Sequence, residues 1–240
     1  LLLALHHAED PQCQMSDAEV MTTALVAALY FGGKYERARE LLQEQGYIPQ
    51  MLSKSQFSRR LHRLDALFVT LFRILGETFK ERNTEAVYVI DSAPIAVCDN
   101  IRIANSKLIQ GEIYRGKKVS MRRYFYGYNV HVLCTADGIP VEYTFLPGRS
   151  HDSNALKQMP LQVPSGSIIY ADNAYTNYSI EDMLKDAENI DLLVARKSDS
   201  KRKHEPYVEY LISSVRKRIE TSFSEISNFL PKKIHAVTEF

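Results

Sequence analysis

Cysteine is scarce in this chain. There are three, Cys13, Cys98 and Cys134, at no metal-like spacing. An odd, scattered set argues against a disulfide framework and fits a reducing cytosol. Long apolar runs are missing too. The longest, Ala24 to Phe31, has 8 residues, against the ~20 a membrane-spanning helix needs. There is no secretory signal pattern, internal repeat or low-complexity tract. Net charge is nearly absent as well: 30 Lys plus Arg against 29 Asp plus Glu leave +1. Bulk charge therefore says little about partners, and its distribution has to be read instead. The chain opens on Leu-Leu-Leu-Ala-Leu, as if entering mid-helix, and closes on HAVTEF without a stop signal. It reads as a fragment, truncated at its carboxyl end.

What is present is ordinary globular composition, 45% hydrophobic and 25% charged over 240 residues. That suffices for one large domain or two smaller ones. The first third reads as helical. Ser16 and Glu19 form a capping box before Val20, Met21, Leu25 and Ala28, and Gly32-Gly33 ends that helix. A second helix runs from about Tyr35 to Gln45. A third opens at Ser53 and carries Phe57, Leu61, Leu64, Leu67, Phe68, Leu71 and Leu75 on one stripe.

The pattern changes near Ala86. AVYVID reads as a short buried strand. Ile101 to Arg123 is basic and poorly periodic. Two runs rich in β-branched and aromatic residues then flank Asp137-Gly138, a hairpin signal. SIIYAD is a strand, Asn177 to Ala187 a helix, IDLLVA a strand, and Pro206 to Leu230 a long amphipathic helix. The expected organisation is a helical region over 1–82 and, over 83–240, a mixed sheet flanked by helices.

Two aspartates share one context. Asp91 closes AVYVID and Asp172 closes SIIYAD, each behind apolar strand residues. Strand interiors disfavour Asp, and a buried carboxylate is costly unless paired or metal-bound. The carboxyl ends of strands are where sites form in open α/β sheets. Each residue could equally cap the turn that follows it. Glu220 sits at the edge of the apolar stripe on the last helix, with Arg216 one turn earlier; a surface ion pair is the plain alternative. The chemical reason to group the three acids is Mg²⁺. It is held by a few carboxylates plus substrate phosphates, and a pair of such ions serves phosphodiester cleavage. Basic clusters surround these acids: Arg115, Lys117, Lys118, Arg122 and Arg123; Arg196, Lys197, Lys201, Arg202 and Lys203; and Arg59, Arg60 and Arg63. Acids that hold metal among basic patches suit a polyanionic substrate.

The ordered set IDSAPIAVC, YFYGYNVHVL, His151-Asp152, IIYADNAY and RKRIETSFSEI resembles the insertion-sequence transposases of the nine-eighty-two family. These belong to the DDE superfamily with the RNase-H-like fold. The resemblance implies an α/β, RNase-H-like catalytic domain behind a helical region. It implies Asp91, Asp172 and Glu220 as catalytic acids binding two Mg²⁺ ions, with Mn²⁺ as a substitute. The implied activity is cleavage of DNA at element ends and strand transfer into target DNA. Terminal inverted repeats and target duplex are the implied partners, bound by a homodimer on paired ends in the bacterial cytoplasm, at the nucleoid. Arg216 matches the arginine before the glutamate, and His151-Asp152 a motif near the active site or DNA but not a metal ligand. Arg59, Arg60 and Arg63 stand where a recognition helix would meet DNA. Asn129 and Ala174 depart from the family's usual Lys and Gly.

Overall fold

The computed structural model describes residues 13–98, 103, 109–118 and 123–229. The chain divides into two compact units. Among the described residues, one holds 13–74 and 225–229; the other is Leu75–Ser224.

In the first unit the local signals act as the sequence indicates. Helix α1 (Asp17–Phe31) starts at Ser16, whose N–H donates to Glu19 Oε2 at 2.7 Å while Ser16 Oγ accepts from the Glu19 N–H at 3.1 Å. It stops at Gly32, whose φ of 55° is the left-handed conformation glycine adopts without strain. Helix α2 spans Tyr35–Glu44. The predicted third helix is in fact two, α3 (Lys54–His62) and α4 (Asp65–Arg82). The break has a local cause. The N–H groups of Arg63 and Leu64 donate back to Arg60 and Leu61, a tightened final turn, and Asp65 opens the next helix, where an acid suits the positive end of the dipole. Hydrophobic periodicity continues across the break, so the stripe alone hides it. Met15, Val20, Met21, Leu42, Phe57 and Leu64 make the core of this unit.

The second unit is built on a mixed sheet. Its strands are β1 (Val87–Cys98), β2 (Arg115–Lys118), β3 (Arg123–Thr135), β4 (Pro140–Pro147), β5 (Ile168–Ala171) and β6 (Asp191–Val194). The order across the sheet is β4-β3-β1-β5-β6, with β2 extending the far end of β3. β3 runs antiparallel to β1 and β4, while β1, β5 and β6 are parallel. Two strands correct the sequence reading. β1 does not end at Asp91; it continues to Cys98 because the first half of β3 pairs with it there, after β5 has stopped. The basic stretch contains β2, a short edge strand whose Gly116 lets Phe125 close over it. A Cβ at Gly116 would lie 2.4 Å from that ring.

Strand alternation gives the sheet two apolar faces. Tyr88, Ile90, Leu133, Ile169 and Ala171 pack on one face with Leu156 of α5 (Ala155–Gln158) and with Ile180 and Leu184 of α6 (Tyr178–Glu188). Val89, Val132 and Cys134 pack on the other with Val215, Ile219 and Phe223 of α7 (Pro206–Phe229). Ile219 is 1% exposed. Its burial is worth about 1.5–3 kcal/mol and fixes which side of α7 meets the sheet.

Candidate active site

The β1–β5 register pairs Ile90 with Ala171. Asp91 and Asp172 are the next residue on each strand, so parallel pairing alone sets them side by side. Both belong to the sheet face that α7 covers, one residue on from Ile90 and Ala171, which point to the opposite core. Arg216 comes down from α7 between them. Its Nη2 donates to Asp91 Oδ2 at 3.3 Å and to Asp172 Oδ2 at 3.2 Å. Each aspartate uses its other oxygen locally. Asp91 Oδ1 accepts from the Ser92 N–H at 2.7 Å, and Asp172 Oδ1 caps the turn Asn173–Tyr175 by accepting from the Ala174 N–H at 3.1 Å. Capping and facing the site are therefore both true of Asp172, one oxygen for each.

Glu220 lies one turn beyond Arg216 on α7 and lines the same cleft, a space of about 950 Å³. Its side chain is exposed. Among the described residues no three His, Cys, Asp or Glu side chains sit close enough together to hold a metal ion. Of the three acids, two meet at one guanidinium and the third shares their cleft.

The cleft has a fourth carboxylate, Asp152. Ser92 Oγ donates to its Oδ2 at 3.5 Å, and His131 Nε2 is 4.0 Å from its Oδ1. Burial, and then the charges of Asp91 and Asp172, push the Asp152 carboxyl up to about 6. Asp91 is also raised, by burial first, against the pull of the Ser92 N–H and Arg216. His131, fully buried, is held down at about 4 by desolvation and is neutral at pH 7. Its Nδ1 shares a 2.8 Å hydrogen bond with the Tyr175 hydroxyl.

Arg115, Lys117 and Arg149 line the rest of the cleft, with His151 beside them. Lys117 lies 5.6 Å over the Tyr124 ring. Lys118 and Arg123 are register partners at the open end of the β2–β3 pair; Arg122 lies outside the described residues. Asn129 lines the cleft and reaches Gly148 O at 3.5 Å. Arg149 carried no sequence signal, while Arg115 stood only in a basic run and Ser92 only as the neighbour of Asp91 in IDSAPIAVC; the folded sheet brings all three here. The second basic cluster is partly structural. Arg196 and Arg202 pair with Glu181 and Asp182 and stack on Tyr178 at 5.1 and 4.8 Å.

In the helical unit the three arginines divide. Arg59 and Arg63 are exposed. Arg60 is engaged internally: it pairs with Asp17 and donates to Met15 O at 3.1 Å and Cys13 Sγ at 2.8 Å. Its guanidinium ties α3 to the start of α1, a structural use that the cluster of three did not reveal. The cysteines Cys13, Cys98 and Cys134 are free thiols, and no helix among the described residues is long and apolar enough to cross a membrane.

The sheet order, antiparallel on one side of β1 and parallel on the other, is that of the RNase-H-like fold. A family model described as a transposase DDE domain matches residues 81–235. The chain belongs to that family, and its class is the DNA transposases. Among solved structures, the Mos1 mariner paired end complex with Mn is similar at 13% identity and a TM-score of 0.27, over 93% of this chain and 82% of that one. No curated protein matches.

Proposed function

We propose that Asp91, Asp172 and Glu220 are the catalytic acids of a metal-dependent DNA transposase. It would cut DNA at the ends of its element and join the freed ends to target DNA. The observation that carries this reading is the shared guanidinium: two carboxylates on adjacent parallel strands accept from one cation at 3.2 and 3.3 Å. A pair of acids that already converges on a positive charge fits a hard divalent cation, Mg²⁺ or its substitute Mn²⁺, because carboxylate oxygens are the donors such ions prefer. Asp91 Oδ2, Asp172 Oδ2 and the Glu220 carboxylate would hold it. When bound, the ions supply activation of the attacking oxygen and stabilisation of the leaving one.

The remaining roles fall to the chain's own residues. Arg216 has a buried Nε without a hydrogen-bond partner among the described residues, a donor suited to a phosphate oxygen. Arg115, Lys117 and Arg149 would hold the backbone away from the scissile phosphate. Lys118, Arg122, Arg123 and His151 would add further DNA contacts. The residues 1–82 would form a helical region that meets the terminal inverted repeats through Arg59 and Arg63, and 83–240 the catalytic domain. A homodimer on paired ends, acting at the nucleoid, completes the reading.

The test is Asp172→Asn with a duplex carrying the ends of the encoding element. Mg²⁺-dependent cleavage should vanish while duplex binding persists. Cleavage that survives removes Asp172 from the acids. A pre-cut end with a free 3′-hydroxyl then reports joining separately from cutting.

A further inference from the structure

We infer that His131 and Tyr175 form a buried strut that fixes the separation of Asp91 and Asp172, making both positioning residues for the metal-holding pair. The inference rests on the assignment of those two aspartates above. His131 is the register partner of Ser92, the residue after Asp91. Tyr175 closes the turn that Asp172 opens: its N–H donates to Asp172 O at 3.0 Å. One side chain therefore stands beside each acid, on the sheet face opposite α7. The two join through the 2.8 Å bond between His131 Nδ1 and the Tyr175 hydroxyl, with the rings edge-to-face at 5.8 Å and 88°. Both side chains are 0% exposed.

A hydrophobic pair would fill that space without orienting anything. A polar pair in an apolar core is retained at a desolvation cost and has one favoured geometry. The groups facing it are Asp152 across from Nε2 and Ser92 beside it; Leu133 and Ala171 are the apolar neighbours on the same face. β5 has only four residues and Asp172 lies just past its last pair. The ladders to β1 and β6 therefore stop one residue before Asp172, and the strut ties the chain beyond them.

The test is Tyr175→Phe, which removes one oxygen. Mn²⁺ affinity is read by electron paramagnetic resonance of the free ion, affinity for a random 40-base-pair duplex by anisotropy, and Tm by calorimetry. We expect Mn²⁺ binding at least about tenfold weaker with duplex affinity unchanged. His131→Phe should behave likewise, and His131→Asn, which restores a polar group near Nδ1, should recover part of the loss. An Ile190→Val or Ile190→Ala variant in the same core, chosen to match the Tm of Y175F, should keep wild-type Mn²⁺ affinity. Wild-type affinity in Y175F overturns the strut, as does an equal loss in the Ile190 control. D91A and D172A separate the two ideas. If they bind Mn²⁺ normally, the acid assignment falls and the strut with it; if they lose it while Y175F does not, the strut alone falls.

Discussion

Removing Arg216 should make the acidic pair bind a divalent cation more tightly. The guanidinium donates to both carboxylates, so any metal must displace it. A hydrogen bond to a charged group contributes about 1.5–3 kcal/mol net. Both bonds here, at 3.2 and 3.3 Å, are long for their kind, and the Asp172 side chain is 34% exposed. The lower end applies, with a discount for solvent screening, so the two bonds together give about 2–3 kcal/mol. At 1.4 kcal/mol per decade that is roughly 30- to 140-fold in Kd. Titrating R216A with Mn²⁺ at pH 8 and low salt should show that gain. Without metal the variant should melt lower, because two neighbouring carboxylates lose their shared cation, and Mn²⁺ should restore the loss by mass action. R216K should fall between, since an ammonium lacks the fork that reaches two acceptors. If R216A binds Mn²⁺ no better than wild type, the guanidinium does not occupy the metal's position, and the stand-in argument fails.

Stability against pH offers a second check. His131 titrates near 4 when folded against an ordinary 6.5, so the unfolded chain binds more protons as pH falls through that window. Folding then loses up to about 3 kcal/mol between pH 6.5 and 4. Asp152, raised to about 6, opposes this: its cost grows as pH rises from about 4 to 6, and the raised Asp91 acts in the same sense. Denaturant melts of D152N should therefore show stability climbing more steeply with pH from 4 to 6.5 than wild type; parallel curves would refute it. R60A should destabilise the helical unit by about 1–3 kcal/mol, because the buried Asp17 loses its Arg60 ion pair and α3 loses its tie to the start of α1. R59A and R63A should instead leave Tm unchanged, weaken duplex binding, and each lower the salt slope by about one; an unchanged slope removes them from the DNA surface.

Much of this was legible in one dimension. The Ser16 cap, the stop at Gly32 and the Asp137-Gly138 hairpin depend on residues within a few positions of each other, where backbone conformation is decided locally. The resemblance named Asp91, Asp172 and Glu220 in order. The break between α3 and α4 was not legible, because a tightened last turn leaves the apolar period intact. Nor was β2, since an edge strand of four mostly basic residues carries no alternation. The case of Arg60 is similar: three arginines in a row of helix look alike until Asp17 turns out to face one of them.

Local residue patterns marked which residues could carry charge into a sheet, and roughly which elements would bear them. Whether those residues meet was decided only in three dimensions. Strand register set Asp91 beside Asp172, the burial of Ile219 turned Arg216 toward them and left Glu220 on the rim of the same cleft, and the pairing of β1 with β3 put His131 beneath. Each is a contact between distant segments, and its energy comes from packing and ladder pairing that no local window contains.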